Sequence, residues 1–198
     1  MMRGLLTAIS VLAFPLALSA CAMSERQQTV TQAQPQGDDE VLAAQETAEA
    51  LALAVRARDA QDSDTLRSAL LDLRRLRARP QQEPLQARMD EWARFAGLDE
   101  IPMRGRTLGP AVRSGFIAPG QSKSLDQTFL SGRKATIAAR SSDGRTVRLG
   151  VRDRSGRETC EKASVRPLCA WVPIYTSRYT ISVSNPGNQR IEYFLVIE

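Results

Sequence analysis

The sequence predicts an α+β chain built in separate parts, an N-terminal helical hairpin or three-helix region followed by a C-terminal antiparallel β-sandwich. Three observations carry this. Apolar residues recur at three- and four-residue steps between Val41 and Ala96. From Phe116 onward the pattern changes to short alternating runs. Those runs are separated by Ser131-Gly132, Asp143-Gly144, Ser155-Gly156 and Asn185-Pro186-Gly187-Asn188, all turn compositions.

The first element is an address. Met1-Met2-Arg3 is a short positive start, and residues 4–18 carry no charge and read as the apolar run of an export signal. The run is short for a spanning helix, which takes ~20 apolar residues. Leu18-Ser19-Ala20-Cys21 then resembles the lipobox of bacterial lipoproteins. The resemblance implies a signal peptide over 1–20, cleavage before Cys21, and acylation of Cys21 by palmitate-type chains. Ala22 rather than Asp after that Cys implies sorting to the outer membrane, facing the periplasm or the cell surface. Ala20-Cys21-Ala22 also fits the small-x-small site of ordinary signal peptidase, which would release a soluble protein. Residues 21–37 are polar and Gln-rich without periodicity, and read as a tether.

The helical region is expected over 38–98. Asp38-Asp39-Glu40 suits a first turn, where carboxylates complement the helix dipole. Val41, Ala44, Ala48, Leu51 and Val55 make one apolar face. Asp62 or Ser63 is the expected cap of a second helix, whose stripe is Leu66, Ala69, Leu70, Leu73 and Leu76, ended by Pro80. A third begins near Pro84, buries Leu85, Met89, Trp92 and Ala96, and stops at Gly97. Residues 99–115, with Pro102, Gly105, Gly109 and Pro110, read as a connector.

The sandwich is expected over 116–198, with strands at 125–129, 134–140, 146–152, 157–162, 168–172, 178–184 and 190–197. Asn185-Pro186-Gly187-Asn188 is read as the turn of a hairpin joining the last two strands. Setting Cys21 aside leaves Cys160 and Cys169, an even pair nine positions apart. In an oxidising compartment such a pair reads as a disulfide stapling one hairpin. Trp171 is expected against that disulfide, and Trp92 in the helical core.

Three stretches resemble the bacterial pre-peptidase C-terminal family: residues 149–156, where Leu149-Gly150-Val151-Arg152 runs into an Asp153-x-x-Gly156 turn; Trp171-Val172-Pro173; and Tyr179 to Asn185. The resemblance implies a small β-sandwich riding on an exported protein. The chain departs from the pattern in having Arg178 where the family usually has Gly before the Tyr. Thr146-Val147-Arg148-Leu149 also stands where many members carry an Asp-rich strand, so the resemblance implies no calcium site here.

Charge is unevenly spread. Residues 22–100 hold 10 basic and 15 acidic side chains, and residues 101–198 hold 16 basic and 7 acidic. A β part of that sign attracts polyanions. Candidates in the envelope are anionic glycans, lipid headgroups and acidic proteins; nucleic acid is not expected, since export separates the chain from it. The expected polyanion-binding residues are Arg140, Arg145, Arg148, Arg152, Arg154 and Arg157. The same arginines also read as a solvated strand face, or as partners of the acidic helices.

The chain has no histidine, which removes the commonest general base and a common metal ligand. Neither a phosphate-binding Gly loop nor a nucleophile–base pairing stands out, and Asp90-Glu91 diverge on a helix. The expectation is a non-enzymatic, lipid-anchored binding or adaptor module with no cofactor and no metal, for an anionic glycan or an acidic protein. Two other readings stay open: a structural subunit of an envelope assembly recruited through its helices, and a hydrolase accessory or degenerate hydrolase.

Overall fold

The computed structural model describes residues 36–98 and 109–198, with side chains from Asp39 onward. The signal peptide, Cys21, the tether up to residue 35 and most of the connector lie outside the described residues. Within them are three helices and two largely antiparallel sheets: α1 Gln36–Asp59, α2 Ser63–Arg75, β1 Arg79–Pro80, α3 Glu83–Phe95, β2 Ala111–Ile117, β3 Ser122–Phe129, β4 Ala135–Ser141, β5 Val147–Arg152, β6 Glu158–Ser164, β7 Leu168–Trp171, β8 Ser177–Ser184 and β9 Ile191–Ile197.

Local chemistry places the helix ends as expected. Asp62 caps α2 by accepting the Thr65 amide at 2.9 Å, and the Thr65 hydroxyl holds its carboxyl below the usual range. Pro84 lies in the first turn of α3. At its far end Gly97 takes φ +63°, and the Leu98 amide reaches back to the Ala93 carbonyl, a six-to-one closure. Helix α2 closes the same way with Arg77 at φ +56°, so it ends before Pro80 is reached.

The five-stranded sheet runs β1-β2-β9-β4-β7 and the four-stranded sheet β3-β8-β5-β6. Between them lies one apolar layer, to which Ile137, Ile191 and Leu195 contribute from one sheet and Leu149, Val151, Ile181 and Val183 from the other. The helices cover the opposite face of the five-stranded sheet. Val112, Ala138, Phe194 and Val196 join Leu51, Leu66, Leu70, Leu73 and Trp92 in a second core. The helical and β parts therefore share a core rather than standing apart.

That arrangement explains two departures from simple periodicity. All of β4 is buried, because Ala135, Ile137 and Ala139 face the other sheet while Thr136, Ala138 and Arg140 lie under the helices. Helix α1 contacts both α2 and strands β4 and β9, so Thr47, Ala50, Ala54 and Ala57 are buried beyond the single predicted face. Small side chains on the helix and on β4 permit that close approach.

Three expectations are corrected. β8 and β9 do not form a hairpin: β8 pairs with β3 and β5, whereas β9 pairs with β2 and β4, in the other sheet. The Pro-Gly segment is a crossover between sheets, anchored by the buried Asn185. Its amide donates to the Ile117 carbonyl at 3.1 Å and the Gln189 carbonyl at 2.7 Å. Cys160 and Cys169 are joined, but Cys160 sits on β6 at the edge of one sheet and Cys169 on β7 at the edge of the other. The disulfide thus ties sheet to sheet, not strand to strand within a hairpin. Finally, the connector is shorter than expected, since β2 begins at Ala111 and β1 adds to it in parallel.

Candidate polyanion-binding groove

The outer face of the four-stranded sheet is set by its register. The residues paired across it are Asp126, Thr180 and Arg152 in one row, Ser124, Ser182 and Gly150 in the next, and Ser122, Ser184 and Arg148 in the third. The face is hydroxyl-rich and its centre is flat, because Gly150 presents no side chain. A Cβ there would fall 2.7 Å from Ser182 Oγ.

At one end of this face the β5–β6 turn rises beside β3 and β8 to enclose a groove of about 740 Å³. Asp126, Arg152, Asp153, Arg154, Arg178 and Thr180 are among its walls. Asp153 builds the turn. It accepts from the Ser155 amide and hydroxyl and from the Arg157 amide and guanidinium at 2.6–3.0 Å. The Ser155 hydroxyl leads in pulling its carboxyl down to about 2, with the Arg157 contacts adding to it. Asp153 is thereby an anion committed to the turn, and it consumes Arg157 as its partner.

The six predicted arginines therefore divide. Arg152 and Arg154 line the groove; Arg152 leans toward Glu158 at 3.5 Å, while Arg154 is exposed with no acidic partner within 4 Å among the described residues. Arg148 stands on the same face but is held by Glu161 at 3.4 Å. Arg145 belongs to the opposite end of the sheets, paired with Asp143 at 2.9 Å. Arg140 is on no solvated face at all: it is buried beneath α1, with Glu49 at 2.8 Å, and desolvation lowers its pKa. Glu49 also draws in Arg166 at 3.3 Å and Arg56 at 3.6 Å. The acidic helix thus satisfies part of the basic charge internally, as one of the sequence readings allowed.

Arg178 was not among the predicted residues. It is exposed at the start of β8, lines the groove and, among the described residues, has no acidic partner within 4 Å. Its signal was the register: in Arg178-x-Thr180-x-Ser182-x-Ser184 alternate positions share the face opposite Tyr179, Ile181 and Val183.

The two tryptophans are structural. Trp92 is buried in the helical core, with the Arg88 guanidinium over its ring. Trp171 packs edge-on to Phe129 at 4.9 Å and lies 5.3 Å from Tyr179, closing the end of the layer between the sheets. Among the described residues no group of three or more Asp, Glu, Cys or His side chains could hold a metal ion, and no helix is long and apolar enough to cross a membrane.

Comparison with known proteins gives shape alone. No family model matches the chain, and no curated protein does. Solved structures with a related outline include the Yersinia pseudotuberculosis-derived mitogen, at 14% identity and TM-score 0.39, with 45% of this chain and 84% of that one covered. The pre-peptidase C-terminal domain of a collagenase from Bacillus anthracis is similar at 14% identity and TM-score 0.37, covering 44% and 87%. So is PliG of Aeromonas hydrophila, a periplasmic inhibitor of g-type lysozyme, at 9% and 0.37, covering 45% and 84%.

Proposed function

We propose that this chain is a non-catalytic binding module of the bacterial envelope, a helix-covered β-sandwich held at the outer membrane through an acylated Cys21, which takes an acidic glycan in the groove beside the β5–β6 turn. The observation that carries the reading is the meeting of Arg154 and Arg178, both exposed and without acidic partners among the described residues, with Arg152 along one hydroxyl-lined groove. Guanidinium groups match carboxylate and sulfate oxygens in a fork, and the neighbouring Thr128, Thr180 and Ser177 hydroxyls suit sugar hydroxyls. The Cys160–Cys169 disulfide fits an oxidising compartment. Export and anchoring rest on residues 1–22, read as a signal and lipobox.

The test is retention of the protein on immobilised heparin and on alginate. The native chain should bind at low ionic strength and elute with salt. Arg154→Glu with Arg178→Glu should elute at clearly lower salt, and Arg145→Glu, at the far end, should elute close to the native position. No retention of the native chain at low salt would sink the glycan reading. Cys21→Ser should separate the protein from membranes or block its maturation; ordinary membrane retention would refute the anchor.

A further inference from the structure

Three connections come together at one end of the two sheets: β3–β4 (Leu130 to Lys134), β5–β6 (Asp153 to Arg157) and β7–β8 (Val172 to Thr176). The first and third are tied by the Gly132 amide to the Pro173 carbonyl at 2.9 Å and the Ser131 amide to Thr176 Oγ1 at 3.0 Å. The second and third line a common groove. This end carries the most exposed large apolar side chains among the described residues, Ile174 at 82% and Tyr175 at 78%, with Val172 and Leu130 also over half exposed.

From this geometry we infer that the tip is a membrane-docking surface, which seats Ile174 and Tyr175 in the interface of an anionic phospholipid layer. Two arguments select lipid. The first is charge. Residues 130–134, 153–159 and 172–178 carry five basic and two acidic side chains. Both acids are engaged, Asp153 by Arg157 and Glu158 by Arg152. Among the described residues, Arg133, Arg154 and Arg178 are exposed without an acidic partner within 4 Å. That is the composition of an interfacial anchor, in which an aliphatic and a Tyr side chain enter the headgroup boundary while guanidinium groups meet phosphates. The second is size. Four protruding apolar side chains are few beside the ~20–30 residues a side of a stable protein interface, but a fluid surface needs no matching shape. At the opposite end, among the described residues, Arg145 pairs with Asp143 and Arg166 with Glu49, while Arg190 covers the half-exposed Phe116 ring.

The inference does not depend on the glycan reading, and different side chains test it. In the full chain carrying Cys21→Ser, Tyr175→Trp places a reporter at the tip, with the emission of Trp92 and Trp171 as the baseline. Vesicles of phosphatidylcholine mixed with phosphatidylglycerol should shift the added emission to the blue and permit quenching by brominated acyl chains. Pure phosphatidylcholine should give a much smaller signal. Adding Ile174→Ser should lower the partition about tenfold, while heparin retention stays at the native position. Vesicle binding with no change at position 175, equal response to neutral and anionic vesicles, or a concentration-dependent blue shift without vesicles would each overturn the inference, the last by showing a second copy on the tip.

Discussion

The Glu49 carboxylate on α1 lies 2.8 Å from Arg140 Nη1 on β4, across the seam where the helices cover the sheet. Arg140 is nearly out of solvent there, and among the described residues neither its Nε nor its Nη1 has a partner in hydrogen-bond geometry, so the charge of Glu49 is its principal compensation. Removing the acid leaves the Arg140 guanidinium desolvated, with the like charges of Arg166 and Arg56 acting on it. Breaking a fully buried pair costs ~3–5 kcal/mol, and the partial exposure of Glu49 lowers that to about 2 kcal/mol for Glu49→Ala. Replacing both partners by leucine should recover part of the loss, because the buried guanidinium is gone while the more exposed Arg56 and Arg166 still lose the Glu49 charge. Urea unfolding of the two single variants and the pair gives the coupling directly; a Glu49→Ala chain as stable as the native one would contradict the argument.

Asn185 has the corresponding role at the sheet crossover. Its side chain donates to two carbonyls on either side of it and accepts the Gly187 amide at 3.0 Å, while its backbone pairs with Gly120 and Gln121. Asn185→Ala strands the buried Ile117 carbonyl and takes a donor from the more exposed Gln189 carbonyl, at ~1–3 kcal/mol. Asn185→Asp should be worse at neutral pH, since an ionised carboxylate opposes those same carbonyls. Thermal unfolding at neutral and at low pH should show the Asp variant regaining stability on acidification and the Ala variant showing no such gain.

The sequence carried the elements well and their assembly poorly. Seven strand positions and three helices could be found because alternation, capping by Asp62 and closure by Gly97 are local chemistry. Which strand pairs with which is decided by contacts far apart in the chain. A Pro-Gly turn between β8 and β9 therefore reads as a hairpin, although Asn185 turns the chain into the other sheet. The connector concealed β2 because its pattern is interrupted by Ser114 and Gly115. The latter leaves room for the Tyr193 ring, which a Cβ would approach to 3.1 Å. For the groove, Arg152 and Arg154 were visible as charges. Their separation from Arg140, and the addition of Arg178, depended on which face of which strand meets the helices.

The disulfide joins the free edges of two sheets, so its loss releases the end of each. A closed loop of this length contributes about 2.5–3 kcal/mol in the chain-entropy model. Cys160→Ala with Cys169→Ala should lower the urea midpoint accordingly, and the native chain under reductant should fall to the same value. An unchanged midpoint would mean that β6 and β7 are held by their pairing with β5 and β4 alone.

The strongest pH dependence attributable to one group should come from Glu198, which follows β9 and packs near Glu40 and Arg79. Burial, with the Glu40 charge adding to it, raises its carboxyl from 4.5 to about 7, against a smaller opposing pull from Arg79. The folded state then holds a proton that the unfolded chain has already released between pH 4.5 and 7. Over that window the unfolded state binds fewer protons, so stability falls as pH rises, and it levels off above the folded pKa. The side chain is only partly buried, so solvent screening reduces the effect below what the full shift implies. Glu198→Gln cannot ionise. It should flatten the decline between pH 4.5 and 7 and leave the variant more stable than the native chain at pH 8, as read from thermal midpoints across that range. Parallel curves for the two proteins would show that Glu198 does not govern the slope.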